Sequence, residues 1–299
     1  MLRRALVLGG GAIGAISSIA SAKHAPLPAE RSATEQLFRL DGRLAWVTGA
    51  SRGLGLEMAC GLAECGAHVV LSGREEKTLL QARDAIKARH PAAECTVLPF
   101  DTLDDAQVAG ALPRLIEATG RSPDILVNNA GMVHRAEVSE LGTEDFNVVM
   151  QCNVIAPFVL SRECSKAMRE RGWGRIINIG SIMSEHGTSR ATAYCTSKHA
   201  VAGLTRSMAS ELAVDGVTVN AICPGFFHTE MTRARSQDPK MLALISSRNP
   251  AGRWGDPREV VGPVVFLASD AASHVNGAML VVDGGTTATF HVGAATSDS

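Results

Sequence analysis

The sequence predicts an α/β protein: one doubly wound domain with a parallel sheet of about seven strands and helices on both faces. Three observations carry that expectation. Short apolar runs recur along the chain with helix-length segments between them. The runs are continuous rather than alternating, as in strands covered on both sides. One of them runs straight into a glycine-rich turn and then a helical segment, the start of a strand–turn–helix unit. The pattern continues with no linker and no internal repeat from about residue 37 to 289. One domain is therefore expected at 37–289, preceded by a leader at 1–36 and followed by a loose tail at 290–299.

The elements follow in order. The first strand is Leu44-Ala45-Trp46-Val47, and Thr48-Gly49-Ala50-Ser51-Arg52-Gly53-Leu54-Gly55 turns out of it. A helix is expected from there to about Cys65, stopping at Gly66, since glycine tolerates the conformation that ends helices. Later strands are expected at 68–72, 95–100, 125–128, 176–179, 217–222 and 279–282.

The composition is that of a globular chain with ample material for a core: 299 residues, 45% hydrophobic, 20% charged, net charge −1. So even a charge balance offers a nucleic acid no electrostatic attraction. The seven cysteines at 60, 65, 95, 152, 164, 195 and 223 form no C-x-x-C pair. They are read as reduced thiols, and no metal site is expected.

The leader differs from the rest. No acid precedes Glu30, Arg3 and Arg4 are basic, and residues 5–22 are weakly apolar and rich in Gly, Ala and Ser. An organellar transit peptide (mitochondrial or plastid) is expected, with a secretory signal or a cytoplasmic protein as alternatives. No stable membrane span is expected in the mature form. Gly9, Gly11 and Gly14 spell G-x-G-x-x-G, but Pro26 and Pro28 stand where a second strand would run, so this loop is not expected to bind nucleotide.

The loop at 48–55 has the context the leader lacks. Its glycines permit a tight turn and close backbone approach, and the following helix offers unpaired N–H donors and a favourable dipole to a pyrophosphate. Further on, Tyr194-Cys195-Thr196-Ser197-Lys198 is Y-x-x-x-K, which on a helix puts phenol and ammonium on one face. Tyr194 is the only tyrosine in the chain. An ammonium nearby is expected to lower the phenol's pKa from its ordinary value near 10, fitting it for proton transfer.

The T-G-x-x-x-G-x-G loop together with this Y-x-x-x-K resembles the short-chain dehydrogenase/reductase family, over about residues 38–286. The resemblance implies a Rossmann-like fold and reversible hydride transfer between a nicotinamide cofactor and a secondary alcohol or ketone. It implies a catalytic set of Asn153, Ser181, Tyr194 and Lys198. Ser181 would hold the substrate oxygen, Tyr194 would exchange its proton, Lys198 would tune Tyr194 and grip the cofactor ribose, and Asn153 would hold a water leading to the lysine. Cofactor contacts are implied for Thr48, Gly49, Ser51, Arg52, Gly53, Leu54, Gly55, Arg74, Asp101 (at the adenine), Asn129, Ala130, Gly131, Tyr194 and Lys198. Pro224, Gly225 and Thr229 are implied at the nicotinamide. NAD-preferring members end the second strand in an acid. Here Gly73 and Arg74 stand there, and Arg52 lies in the loop, which suits a 2′-phosphate and favours NADP(H) over NAD(H). A homodimer or homotetramer is implied.

For substrate, the stretches at 128–135 and 181–187 resemble gluconate 5-dehydrogenases of that family. Arg135 could pair a sugar-acid carboxylate, while Ser181, Glu185 and His186 could bond its hydroxyls; the same side chains could instead only shape the rim. Two alternatives stay open: a 3-oxoacyl-carrier-protein reductase, docking its partner through Arg233, Arg235 and Lys240, and a catalytically silent NADP-binding sensor or scaffold.

Overall fold

A strand built from a continuous apolar run turns side chains to both faces of its sheet, so both faces need cover. The computed structural model describes residues 32–289. It meets that need with one seven-stranded parallel sheet in the order β3-β2-β1-β4-β5-β6-β7. The strands are β1 (Leu44–Thr48), β2 (His68–Gly73), β3 (Cys95–Pro99), β4 (Ile125–Asn128), β5 (Gly174–Ile179), β6 (Val217–Pro224) and β7 (Met279–Val282). The helices are α1 (Ala33–Leu37), α2 (Gly53–Glu64), α3 (Glu76–Arg89), α4 (Asp105–Thr119), α5 (Thr143–Met150), α6 (Ala156–Arg171), α7 (Thr192–Leu212), α8 (Arg233–Ser236), α9 (Pro239–Arg248) and α10 (Val261–Ala268). Among the described residues, no helix is long and apolar enough to cross a membrane.

The two faces separate cleanly. Ala45, Val47, Val69 and Leu71 pack with Met58 and Leu62 of α2, Leu79 and Ile86 of α3, and Val264 and Leu267 of α10. Leu44, Trp46, Val70 and Val219 pack with Val108 and Leu115 of α4, Leu160 and Met168 of α6, and Leu212 of α7. Trp46 is fully buried, and its one polar atom is satisfied, the indole Nε1 donating to Ser72 Oγ at 2.8 Å.

Strand ends differ from expectation by one or two residues, because ladder pairing rather than hydrophobicity sets them. Thr48 joins β1 opposite Ser72. β6 runs on through Pro224, which lies opposite Val282. At the front, α1 crosses the expected leader boundary at 36. Ser32 and Glu35 form a capping box there, although the helix buries no residue. The leader up to residue 31, with its loop at 9–14, and the tail from 290 lie outside the described residues.

The sheet order positions the site. After β1 the chain moves one way to β2 and β3, then returns to build β4 on β1's other edge. A crevice opens where that order reverses, at the carboxyl ends of β1 and β4.

Candidate active site

Two loops meet in this crevice. Gly49, directly after β1, has φ +63°, and a Cβ there would fall 2.9 Å from both Ala130 Cα and Asn129 Nδ2. In the first turn of α2, a Cβ on Gly55 would fall 2.3 Å from Gly49 O and 2.4 Å from Asn129 Nδ2. The glycines here let one loop close on the other. Asn129 Nδ2 donates to Thr48 O at 2.9 Å and Gly49 O at 3.0 Å. In return Thr48 Oγ1 accepts the amides of Asn129 and Ala130, both at 3.0 Å.

No side chain caps the amides at the start of α2, so they remain free to meet an anion. Gly53 (φ +57°) lies close to Thr229, whose Cβ is 3.7 Å from where a glycine Cβ would be. The segment after Pro224 and Gly225 is thereby brought over the loop. Ser51 stands beside Gly73 at the end of β2, its Oγ 4.0 Å from a Cβ built there. Arg52 and Arg74 are exposed at this rim. Among the described residues neither guanidinium has an ion-pair or hydrogen-bond partner. Asp101 follows β3, its carboxylate accepting the Leu103 amide at 3.0 Å.

The proton-handling residues gather beside Gly131. A Cβ there would lie 3.4 Å from Asn153 Oδ1 and 3.9 Å from Lys198 Nζ. Tyr194 and Lys198 share a face of α7, with Nζ 5.7 Å from the phenol ring centroid. Ser181, just beyond β5, lies near enough to the Tyr194 phenol to act on its pKa and accepts the Met183 amide at 3.1 Å. Asn153 sits in a single π-helical turn, Gln151–Ile155, joining α5 to α6, a distortion found often at functional sites. Its side chain accepts the Met132 amide at 2.9 Å and donates to Met132 O at 3.0 Å and Ser197 Oγ at 2.9 Å. Ser197 also donates to Tyr194 O at 2.7 Å. It links Asn153 to the Tyr–Lys helix, a role sequence reasoning missed; its only signal was its place beside Lys198.

The electrostatics correct one expectation. Lys198 does not lower the Tyr194 pKa here. Burial dominates and raises it, opposed by the nearby Ser181 hydroxyl and the positive charge of Arg135. Lys198 is itself buried, its Nζ donating to Ile179 O at 2.6 Å, and burial lowers its pKa to about 8. A side chain that must shed water to reach its place gives up charge. Tyr194 thus stays a protonated phenol at neutral pH, suited to donating a proton to a carbonyl oxygen.

Arg135 lies in the loop beyond Gly131, close enough to Tyr194 for each charge to affect the other. Glu185 and His186 border a small recess with Ser181, yet both are engaged. Glu185 pairs with Arg206 at 3.6 Å, and His186 Nδ1 lies 3.1 Å from Ile182 O. The structure therefore puts the Arg135 charge within range of the phenol and ties Glu185 and His186 to protein partners. All seven cysteines are free, Cys195 partly buried and Cys223 buried.

A family model described as enoyl-(acyl carrier protein) reductase matches residues 49–287. Gluconate 5-dehydrogenase of Gluconobacter oxydans is 42% identical over 252 residues, 84% of this chain and 97% of that protein. The 5-keto-D-gluconate 5-reductase of Escherichia coli K12 is 38% identical over 250 residues, 83% of this chain and 97% of that protein. A crystal structure of gluconate 5-dehydrogenase from Burkholderia cenocepacia, in complex with NADP and tartrate, superposes with a TM-score of 0.81 at 39% identity, covering 86% of this chain and all of that one. With the clamped glycine loop and the Ser181–Tyr194–Lys198 cluster in place, this chain belongs to the short-chain dehydrogenase/reductase family, oxidoreductases acting on CH–OH groups.

Proposed function

We propose that this protein is an NADP(H)-dependent oxidoreductase interconverting a sugar-acid alcohol and its ketone, with gluconate and 5-ketogluconate the first pair to test. The observation that carries the substrate reading is Arg135, a cation in the loop beyond Gly131 whose charge acts on the Tyr194 phenol and which has no carboxylate partner among the described residues. Names of relatives that act on gluconate point the same way.

The crevice fits a dinucleotide. Glycines at 49, 53 and 55 keep Cβ atoms off the points of close approach, the amides at the start of α2 carry no side-chain cap, and Asn129, Ala130 and Gly131 line the opposite side. The uncommitted Arg52 and Arg74 suit the 2′-phosphate that distinguishes NADP from NAD, and Asp101 stands ready for the adenine end. Pro224, Gly225 and Thr229 close the nicotinamide end. When bound, that cofactor supplies or accepts the hydride.

The protein's own part is positioning and proton transfer. Ser181 holds the substrate oxygen through its hydroxyl, and Tyr194, protonated at rest, gives that oxygen a proton during reduction and takes one back during oxidation. Lys198, with Asn153 near it, offers the route by which that proton is replaced. Arg135 orients the substrate through its carboxylate, and Glu185 and His186 close the rim. The intact cluster argues against a silent scaffold. Exposed Met231 and Leu244 keep an acyl-thioester reductase as the rival.

The deciding experiment compares 5-ketogluconate with an acetoacetyl thioester as NADPH-consuming substrates, then repeats the comparison with Arg135→Ala. Preference for the thioester, or an Arg135 variant unchanged on 5-ketogluconate, refutes the sugar-acid reading. Two further proposals concern the whole chain. Exposed Ile155 and Phe158 on the π turn and α6 suit burial between subunits of a dimer or tetramer, tested by mass in solution. Residues 1–36 are proposed to be a targeting leader, organellar or secretory, ahead of the enzymatic domain at 37–289, with a cytoplasmic protein, as its bacterial relatives suggest, the alternative; N-terminal sequencing and fractionation of the expressed protein test both points.

A further inference from the structure

At the carboxyl ends of β4 and β5 the apolar face toward α6 and α7 gives way to asparagine. Leu126 and Ile176 belong to that core. Two residues on, and so on the same face, stand Asn128 and Asn178, opposite each other in the ladder. They begin a buried chain of hydrogen bonds. Asn128 Nδ2 donates to Ser161 Oγ of α6 at 2.8 Å and to Asn178 Oδ1 at 2.9 Å. Asn178 Nδ2 donates to Thr205 Oγ1 of α7 at 2.9 Å, and Thr205 in turn donates to Val201 O at 2.8 Å. All four side chains are at most 4% exposed. Stability alone is a poor account of this chain. Buried amides carry a desolvation cost that apolar side chains avoid, and Asn128 Oδ1 is itself buried with no hydrogen-bond partner among the described residues. What directional bonds add to a core of non-directional contacts is register.

Register counts here because of what lies on either side. Asn178 is one residue before Ile179, whose carbonyl holds Lys198 Nζ at 2.6 Å, and three before Ser181. Thr205 lies seven residues along α7 from Lys198, two turns on and on the same face. β5 and α7 are therefore fastened to each other at two points. The first uses the Lys198 amine, which the reaction also employs. The second uses no reacting group. We propose that Asn178 and Thr205 are positioning residues: their bond fixes α7 along its axis against β5, so that Tyr194 keeps its place relative to Ser181 while Lys198 is engaged in the reaction. The inference goes beyond the sugar-acid reading, since it needs only reduction of a ketone at this site.

The test uses the full-length enzyme with T205V, which keeps the shape and removes the hydroxyl, T205S, which restores it, and S161A as control. S161A breaks the chain at its α6 end, away from α7, and should lower Tm about as much as T205V. Kinetics use whichever of 5-ketogluconate and an acetoacetyl thioester the unmutated enzyme reduces with NADPH. T205V should lower kcat ~10–100-fold, the size expected from a misplacement of about 1 Å. KM for NADPH should stay near the parent's, because the phosphates meet the start of α2, which packs on the sheet's other face. T205S should recover most of kcat, and S161A should keep the parent's kcat. Crystal structures should show Tyr194 displaced relative to Ser181 in T205V and in neither other variant, and they decide the matter if neither substrate is turned over. Equal kcat in T205V and S161A, a T205S variant no better than T205V, or a T205V structure with Tyr194 in its original place overturns the proposal.

Discussion

Replacing Gly55 by alanine sets two effects of opposite sign against each other. In a helix, alanine is ordinarily better than glycine by about 0.5–1 kcal/mol. At Gly55, however, the new Cβ would fall 2.3 Å from Gly49 O and 2.4 Å from Asn129 Nδ2. One obstacle is backbone and the other an amide held by two hydrogen bonds, so neither yields cheaply. Forcing them apart is overpacking, which costs about 1–3 kcal/mol. Losing the Asn129–Gly49 bond adds about 1 kcal/mol. The net expectation is destabilisation of about 1–3 kcal/mol, or roughly 2–10 °C in Tm for a domain of this size. Weaker NADPH binding should accompany it, since the loop and the start of α2 are displaced. Gly110, inside α4, supplies the control: a Cβ there meets nothing within 4 Å, so Gly110→Ala should raise Tm. Thermal denaturation of both variants, with NADPH titration by fluorescence, gives the answer. A Gly55→Ala protein as stable as the parent, with unchanged NADPH affinity, would refute the close-approach argument.

Other outcomes follow from the same geometry. Tyr194→Phe should lower kcat by ~10²–10⁴-fold and leave NADPH binding nearly intact; steady-state kinetics and equilibrium titration separate the two. Arg74→Asp should abolish or reverse the preference for NADPH over NADH, measured as a ratio of kcat/KM, because the new carboxylate repels a 2′-phosphate. Lys198 makes the cofactor-free protein more stable with rising pH. Its folded pKa is about 8 against an ordinary 10.5, so between those values the unfolded chain binds the extra proton. Stability should therefore climb across that window, by about 3 kcal/mol at most. Denaturation of Lys198→Met at pH 7.5, 9 and 10.5 should show that part of the climb gone.

The sheet was legible because burial on both faces leaves uninterrupted apolar runs, and each of the seven runs became a strand. The glycine loop and the Tyr194–Lys198 pair were legible because each binds short spacing to one chemical demand. The direction of the Tyr194 shift was not. It depends on how much water surrounding elements strip from the phenol, and the four residues to Lys198 say nothing of that. Glu185 looked free in sequence because its partner, Arg206, lies a long way along the chain on α7. The reason for Gly61 was equally hidden: a Cβ there would fall 2.4 Å from Val261 Cγ1, a contact between α2 and α10 set by tertiary packing.

The hydrogen bond from Lys198 to Ile179 O has a consequence for tolerance. Ile179 is two residues before Ser181 on one short stretch of backbone. The group that orients the substrate oxygen and the amine beside the phenol are thus gauged from the same peptide segment. A small sway of β5 carries both together, as a common-mode displacement. What damages such an arrangement is shear between α7 and the end of β5, and substitutions that loosen that contact should blunt catalysis well before they unfold the domain.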